Sequence, residues 1–341
     1  METKRKITLT PPSSWGEMSW DAVVTAFTDR DRPSFEHRLE VFQKVMGWAF
    51  VGESYIDLPN NDRDACNMDD FQLKELLEMQ LRELEKAVWE QPNIMVVFRD
   101  KETGTLGELS LELLYGCLKK YMQFLDSPSG FTTIPKEHIQ IGRHKYLLPE
   151  TLMTNLTYQQ YSAVQNALSN LWDLQEYLVN LYENKGQESE INEVLGNIAE
   201  CKADFMANIL TPQRFVFFEE SQGKIKWVFR HRYIYNADDV EKEKKVMKLA
   251  PDYLFDILLF YYHGCLEVLS KKFTHLFSSK GGKGGSDLLV AELDSINNIM
   301  KYQGYKDQQD VYDSNALFIL SILNRMTEEA KEIQKIKTKK K

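Results

Sequence analysis

Cysteine is scarce in this chain, with four among 341 residues. Cys66, Cys117, Cys201 and Cys265 stand far apart, form no CxxC pair and show no Cys–His spacing that fits zinc. Reduced, mostly buried thiols of a cytosolic protein are the expectation. The start, METKRKITL, lacks the apolar core of a signal peptide. The longest apolar-rich run, YLFDILLFYYHGCLEVL, carries Asp256, His263 and Glu267 and is shorter than a membrane span. A soluble protein made in a cytoplasm, with no membrane partner, is therefore expected.

Catalytic signatures are missing too. His37, His138, His144, His231, His263 and His275 make no HExxH, and no acidic spacing resembles a metal-binding loop. A GxSxG elbow is absent. The run GGKGGS lacks the GxxxxGK[ST] pattern and follows a helix rather than a strand, so it reads as a linker. His231, on an apolar strand face, and His263, in an apolar helix, read as hydrogen-bonded core histidines. The carboxylates of NNDRDACNMDD (60–70) and NADDVEKEKK (236–245) read as solvated loops or helix starts. No catalytic, cofactor or metal residue is assigned, and a non-enzyme is expected.

What the chain has is aromatic residues and uneven charge. Aromatics make up 12%, including 18 Phe, 16 Tyr and 6 Trp, enough for several aromatic-filled cores or contact surfaces. The net charge of −9 argues against a generic nucleic-acid coat. Against it stands one basic run, KEIQKIKTKKK, which reads as a solvated helix end or as a contact for nucleic acid or lipid. The length allows two or three domains.

Most of the chain reads helical. Leu73, Leu77, Leu81, Leu84 and Val88 keep helical spacing up to Pro92. Tyr161, Val164, Leu168, Leu171, Leu174, Leu178 and Leu181 mark a long helix after Thr157, and Ile191, Val194, Leu195, Ile198 and Phe205 another. Residues 252–277 read as one central helix. Leu289, Leu293, Ile296 and Met300, then Ile319, Leu323, Met326, Ala330 and Ile333, mark the last two. Residues 94–110 and 214–235 read as β-hairpins with turns near Glu102–Gly104 and Ser221–Gly223. In the second hairpin Lys224, Lys226, Arg230 and Arg232 share one face, which reads as a charged contact or as edge-strand protection.

The fold class expected is mainly α with two short β-hairpins (α+β). Its parts are an N-terminal helical half (1–140), a second helical half (141–279), a Gly-rich linker (280–286) and a C-terminal helical module with a basic tail (287–341).

The stretch TPPSSWGEMSWDAV (10–23) returns in paler form as LLPETLMTNLTYQQY (147–161). Ser19 and Thr157 are good N-caps, Met18 can staple to Val23 and Leu156 to Tyr161, and Gln160 completes a capping box in the second copy only. Each start is followed by helices, a hairpin, and a helix holding Tyr115–Gly116–Cys117–Leu118 or His263–Gly264–Cys265–Leu266. This order suggests an internal duplication. Capping does not require Trp15 or Trp20 to be tryptophan, so both stand as candidates for core or for partner contact.

These capped starts, and the ending NNIMKYQGYKDQQDVYDSNALFILSILNRMTEEAKEIQKIK, resemble morphogenesis proteins of tailed phages of Bacteroides-type hosts, crAss-like phages among them. The resemblance implies a non-enzymatic neck or tail component, or a tail-assembly chaperone, acting through protein–protein contacts and open to self-association. It brings no catalytic residues. The alternative is a nucleic-acid-binding adaptor using the basic strand face and the lysine tail.

Overall fold

The computed structural model describes residues 5–6, 14–28, 35–56, 94–118, 127–219, 227–277 and 285–339. The helix expected over 70–88, the turn at 221–223, Lys224, Lys226, Cys66 and most of the glycine run lie outside the described residues. The fold is mainly α with small, chiefly antiparallel sheets. It divides into two compact units: residues 1–131 with Leu259–Tyr261, and residues 132–258 with 262–341.

In the first unit, β1 (Arg5–Lys6), β2 (Trp48–Ile56), β3 (Ile94–Asp100) and β4 (Leu106–Ser110) form a sheet of order β1-β4-β3-β2. The expected hairpin β3–β4 is thus the middle of a wider sheet, extended by a strand at 48–56 that the sequence reading did not mark. Val96, Val97 and Phe98 are all buried, which fits an interior strand covered on both faces. Asp100 builds the turn. Its Oδ1 accepts from the amides of Glu102 (2.9 Å) and Thr103 (2.8 Å), and Gly104 takes φ +69°. Those amides hold the Asp100 carboxyl below its ordinary pKa.

Helices α1 (Trp20–Phe27) and α2 (Phe35–Met46) pack against each other, and α2 also contacts β2. A one-turn helix, α3 (Leu111–Gly116), follows β4 and is capped by Ser110. The Ser19 hydroxyl caps α1 by accepting from Ala22 N at 3.3 Å, and Met18 and Val23 are buried beside it. Trp15 is 2% exposed, with its ring 4.5 Å from Phe131, 5.7 Å from Phe27 and 5.6 Å from Phe260. Its indole N–H donates to Ser127 O at 3.2 Å, so it is a core anchor. Trp20 is half-buried.

In the second unit, β5 (His138–Ile141), β6 (His144–Leu147), β7 (Thr211–Glu219) and β8 (Trp227–Tyr233) form an antiparallel sheet in sequence order. The second expected hairpin is again half of a larger sheet. Residues 132–149, read as a soft boundary, supply β5–β6, turned at Gly142 (φ +56°). The boundary itself falls between Phe131 and Thr132.

Helices α4 (Tyr158–Glu183) and α5 (Glu188–Ile209) pair along their length, and α6 (Val240–Met247) packs on α5. The expected helix over 252–277 is two helices, α7 (Asp252–Lys272) and α8 (Thr274–Phe277), because Phe273 leaves helical geometry at ψ +56°. Helices α9 (Gly285–Gln303), α10 (Gln308–Tyr312) and α11 (Ala316–Lys339) complete the chain. Set apart by glycines in the sequence, they belong to this second unit in the fold. Ala316 N bonds Leu156 O, Tyr158 N bonds Ser314 O, and Asn324 Oδ1 caps α8 through His275 N and Leu276 N.

The capping box predicted at Thr157 forms, and it is 1% exposed at Gln160. Gln160 Oε1 accepts from Thr157 N (3.1 Å), while its amide donates to Asn208 O (3.1 Å) and Thr211 Oγ1 (3.4 Å). Glutamate can serve a capping box but has no donor for Asn208 O. Gln160→Glu should therefore destabilise the fold by about 2–4 kcal/mol at neutral pH. Burial would raise the new carboxyl's pKa, so the deficit should shrink as pH falls toward the ordinary carboxylate range. Urea melts of both proteins at neutral and acidic pH check this; an equal deficit at both would contradict it.

Candidate interaction surface

The outer half of the α4–α5 helical hairpin is built on a narrow seam. Beyond Leu171, Leu181, Val194 and Ile198 are buried, with Leu174, Leu178 and Ile191 half-covered. The remaining apolar positions face outward: Trp172, Tyr177, Val179 (55% exposed), Tyr182 (58%) and Leu195. At 100° per residue, Trp172, Glu176, Val179 and Glu183 fall on one side of α4, at i, i+4, i+7 and i+11. The face alternates apolar and acidic side chains. Between Leu171 and Ala199 the chain carries six carboxylates and one cation, Lys185. The surface is therefore apolar in contact and negative in field.

The tip of the hairpin is closed by its own backbone. Gly186 N bonds Leu181 O at 2.8 Å and Lys185 N bonds Tyr182 O at 3.4 Å, the two bonds of a Schellman ending. Lys185 takes the left-handed position, φ +54°, where glycine is the usual occupant. A Cβ at Gly186 would meet Leu181 Cδ2 at 2.9 Å and Leu181 Cβ and O at 3.3 Å, so a side chain there would have to displace Leu181. Across the seam Tyr177 OH donates to Glu190 Oε1 at 2.5 Å, which raises the Tyr177 pKa. At the base, the Trp172 ring lies 6.0 Å from the His263 ring. Burial lowers the His263 pKa and so favours the neutral imidazole; the ring, read from the sequence as a core histidine, is half-buried.

The basic strand face is differently arranged. Lys224 and Lys226 lie outside the described residues. Arg230 pairs in register with Val216, and Arg232, exposed, with Arg214. Arg214 is turned toward acid. It bonds Asp239 and, at 3.3 Å, Glu243, which also accepts from the buried Tyr146 hydroxyl at 2.6 Å. Burial, helped by that hydrogen bond, pushes the Tyr146 pKa far up. Residues 236–245, read as solvated, thus place Asp239 and Glu243 against the strand as counter-charges. Tyr146 on the next strand completes a structural network.

An open groove of about 580 Å³ runs between Thr133–Glu137 and Leu148–Thr154. Between two of its lining residues, Thr151 and Thr154, the chain passes through two consecutive left-handed residues, Leu152 (φ +56°) and Met153 (φ +61°). Leu152 N bonds Thr132 O, and Asn155 bonds Glu150 N and Leu148 O, so local hydrogen bonds hold the strain. The groove brings no nucleophile–base pair together.

Among the described residues, no group of three or more His, Cys, Asp or Glu could hold a metal, and no helix is long and apolar enough to cross a membrane. Cys117 and Cys265 are buried free thiols and Cys201 is half-buried; burial raises the pKa of Cys117 and Cys201. The hairpin surface escaped the sequence reading, which put Leu195 in its α5 stripe and left Trp172 and Val179 out of its α4 stripe. Those two apolar residues off the stripe, among excess carboxylates, were the available signal. No protein-family model, curated protein or solved structure matches the chain.

Two measurements follow from this geometry. Lys185→Gly should stabilise the fold by about 0.5–1 kcal/mol, because the left-handed cost for lysine exceeds glycine's added unfolded-state entropy; a lower melting temperature would contradict it. His263 has a folded pKa below its unfolded value, so it binds a proton more readily when unfolded. Its contribution is full above the unfolded pKa and is lost as pH falls through the window down to the folded one. His263→Phe should therefore lose less thermal stability than the parent between about pH 7 and pH 5.5.

Proposed function

We propose that this chain is a non-enzymatic structural or assembly protein acting through protein–protein contacts, of the kind its helix starts and ending resemble in tailed phages. It would work in the host cytoplasm, in the virion, or in both, as a neck or tail component or an assembly chaperone. The observation that carries the reading is the outer α4–α5 hairpin. Its shared seam buries one narrow stripe, while Val179 and Tyr182 are more than half exposed and Trp172, Tyr177 and Leu195 nearly half. Leaving several large apolar side chains exposed on an acidic surface is costly unless another protein covers them. The structural use of Arg214 is consistent with the same reading.

The nucleic-acid alternative rests on the basic strand face of Lys224, Lys226, Arg230 and Arg232 and on the C-terminal lysine tail. Arg214, in register with Arg232, is committed to Asp239 and Glu243, and the chain's net charge is −9.

The test is co-purification with assembling particles. The parent should co-sediment with particles or their intermediates, and Val179→Glu with Tyr182→Glu should lose that association by about tenfold or more while melting normally. Free parent protein, never in complex with any particle component, would overturn the reading. Arg230→Glu with Arg232→Glu should leave the association intact. Salt-sensitive nucleic-acid binding that this pair abolishes would favour the adaptor instead.

A further inference from the structure

One face of α4 is packed along its first half and open along its second. Tyr161 and Val179 stand 18 residues apart, five full helical turns, so Tyr161, Leu168, Trp172 and Val179 share one stripe. Helix α7 meets the first part of it. The Tyr262 ring lies 6.4 Å from Tyr161, the Tyr262 hydroxyl accepts from Gln165, and the His263 ring lies 6.0 Å from Trp172. Tyr161 and Leu168 are buried, whereas Val179, on the same stripe, is more than half exposed. Tyr182 at its flank is exposed to the same degree, and Glu176 and Glu183 stand exposed beside Val179. A third helix thus serves the inner part of this face, and the outer part repeats the same geometry with acidic neighbours.

We infer that the occupant of the outer face is a cationic amphipathic helix of another protein, laid along α4 as a third helix of the hairpin. This rests on reading the hairpin as a protein-contact surface and names the partner's chemistry. Charge selects the class of partner. Six carboxylates against one lysine between Leu171 and Ala199 repel phosphates and anionic headgroups and attract a basic chain. The apolar stripe selects a helix, because side chains recurring each turn are what Val179 and Tyr182 can pack against. From Trp172 to Glu183 the face runs roughly 16 Å, three turns, at about 1.5 Å per residue. Lysines or arginines flanking the partner's stripe would lie beside Glu176 and Glu183.

The test is fluorescence anisotropy of two labelled peptides of about 18 residues with the full-length chain. Both carry leucine on a helical stripe; one has lysine around it and the other glutamate. The lysine peptide should bind at about 50 mM NaCl and weaken by roughly tenfold or more at about 500 mM, and the glutamate peptide should not bind. Glu176→Lys with Glu183→Lys, and separately Val179→Ser with Tyr182→Ser, should each weaken binding by about tenfold while melting like the parent. Glu102→Lys with Glu112→Lys, the same charge change on the first unit, should keep it within about twofold. Absence of binding at low salt, equal binding of both peptides, or an equal loss in the first-unit variant overturns the inference. Parent self-association in sedimentation velocity that Val179→Ser with Tyr182→Ser abolishes overturns it too, making a second copy the occupant. If the peptides fail yet Val179→Glu with Tyr182→Glu still loses particle association, the hairpin remains a contact surface and only the cationic helix falls. If neither association is seen, both readings fall.

Discussion

The second unit hangs on the side chain of one buried amide, Gln160. It sits where the start of α4, the end of α5 and the start of β7 meet, and it bonds all three. Asn208, whose carbonyl it holds, in turn accepts the Tyr235 hydroxyl at 2.7 Å and donates to Asp204 O at 2.8 Å. A buried polar group stabilises a fold only when its donors and acceptors are all used, and here they are. The same helix start is bonded from the other side by Ser314 and Ala316. One helix terminus therefore sets the position of a sheet strand, a helix C-terminus and the start of α11.

Electrostatics in this unit separates structural charge from available charge. Arg214, Asp239, Glu243 and Tyr146 form a half-buried cluster in which each group's charge or proton is used by another. Such a cluster fixes how the segment 236–247 lies on the sheet and contributes little free field to a visitor. The outer hairpin is the opposite case. Most of its carboxylates are exposed, and their summed potential is open to solvent and to partners.

The hairpin also shows why exposure and instability differ. Leu181, Val194 and Ile198 close a seam only one residue wide, and the Schellman ending at Lys185–Gly186 ties the tip. That suffices to hold two helices together, while Val179 and Tyr182 stand more than half exposed beside it.

The sequence by itself determined the helices with a clear apolar stripe and their caps. The stripe through Val164, Leu168 and Leu171, the cap at Ser19 and the capping box at Thr157–Gln160 are local consequences of spacing and side-chain chemistry, and each is present. The hairpin β3–β4 was legible for the same reason: its turn is built by Asp100 and Gly104 within a few residues. Strands at 48–56 and 138–147 were not, because short strands take their hydrogen bonds from distant segments and carry little periodic signal. Trp15 could be read only as core or contact until Phe131 and Phe260, remote in sequence, were brought around it. Gln160's second pair of bonds, the capture of Arg214 by Asp239 and Glu243, and the exposure of Trp172 and Val179 are likewise decisions of tertiary structure. Each depends on which distant backbone or side chain arrives within reach, a quantity that no local pattern encodes.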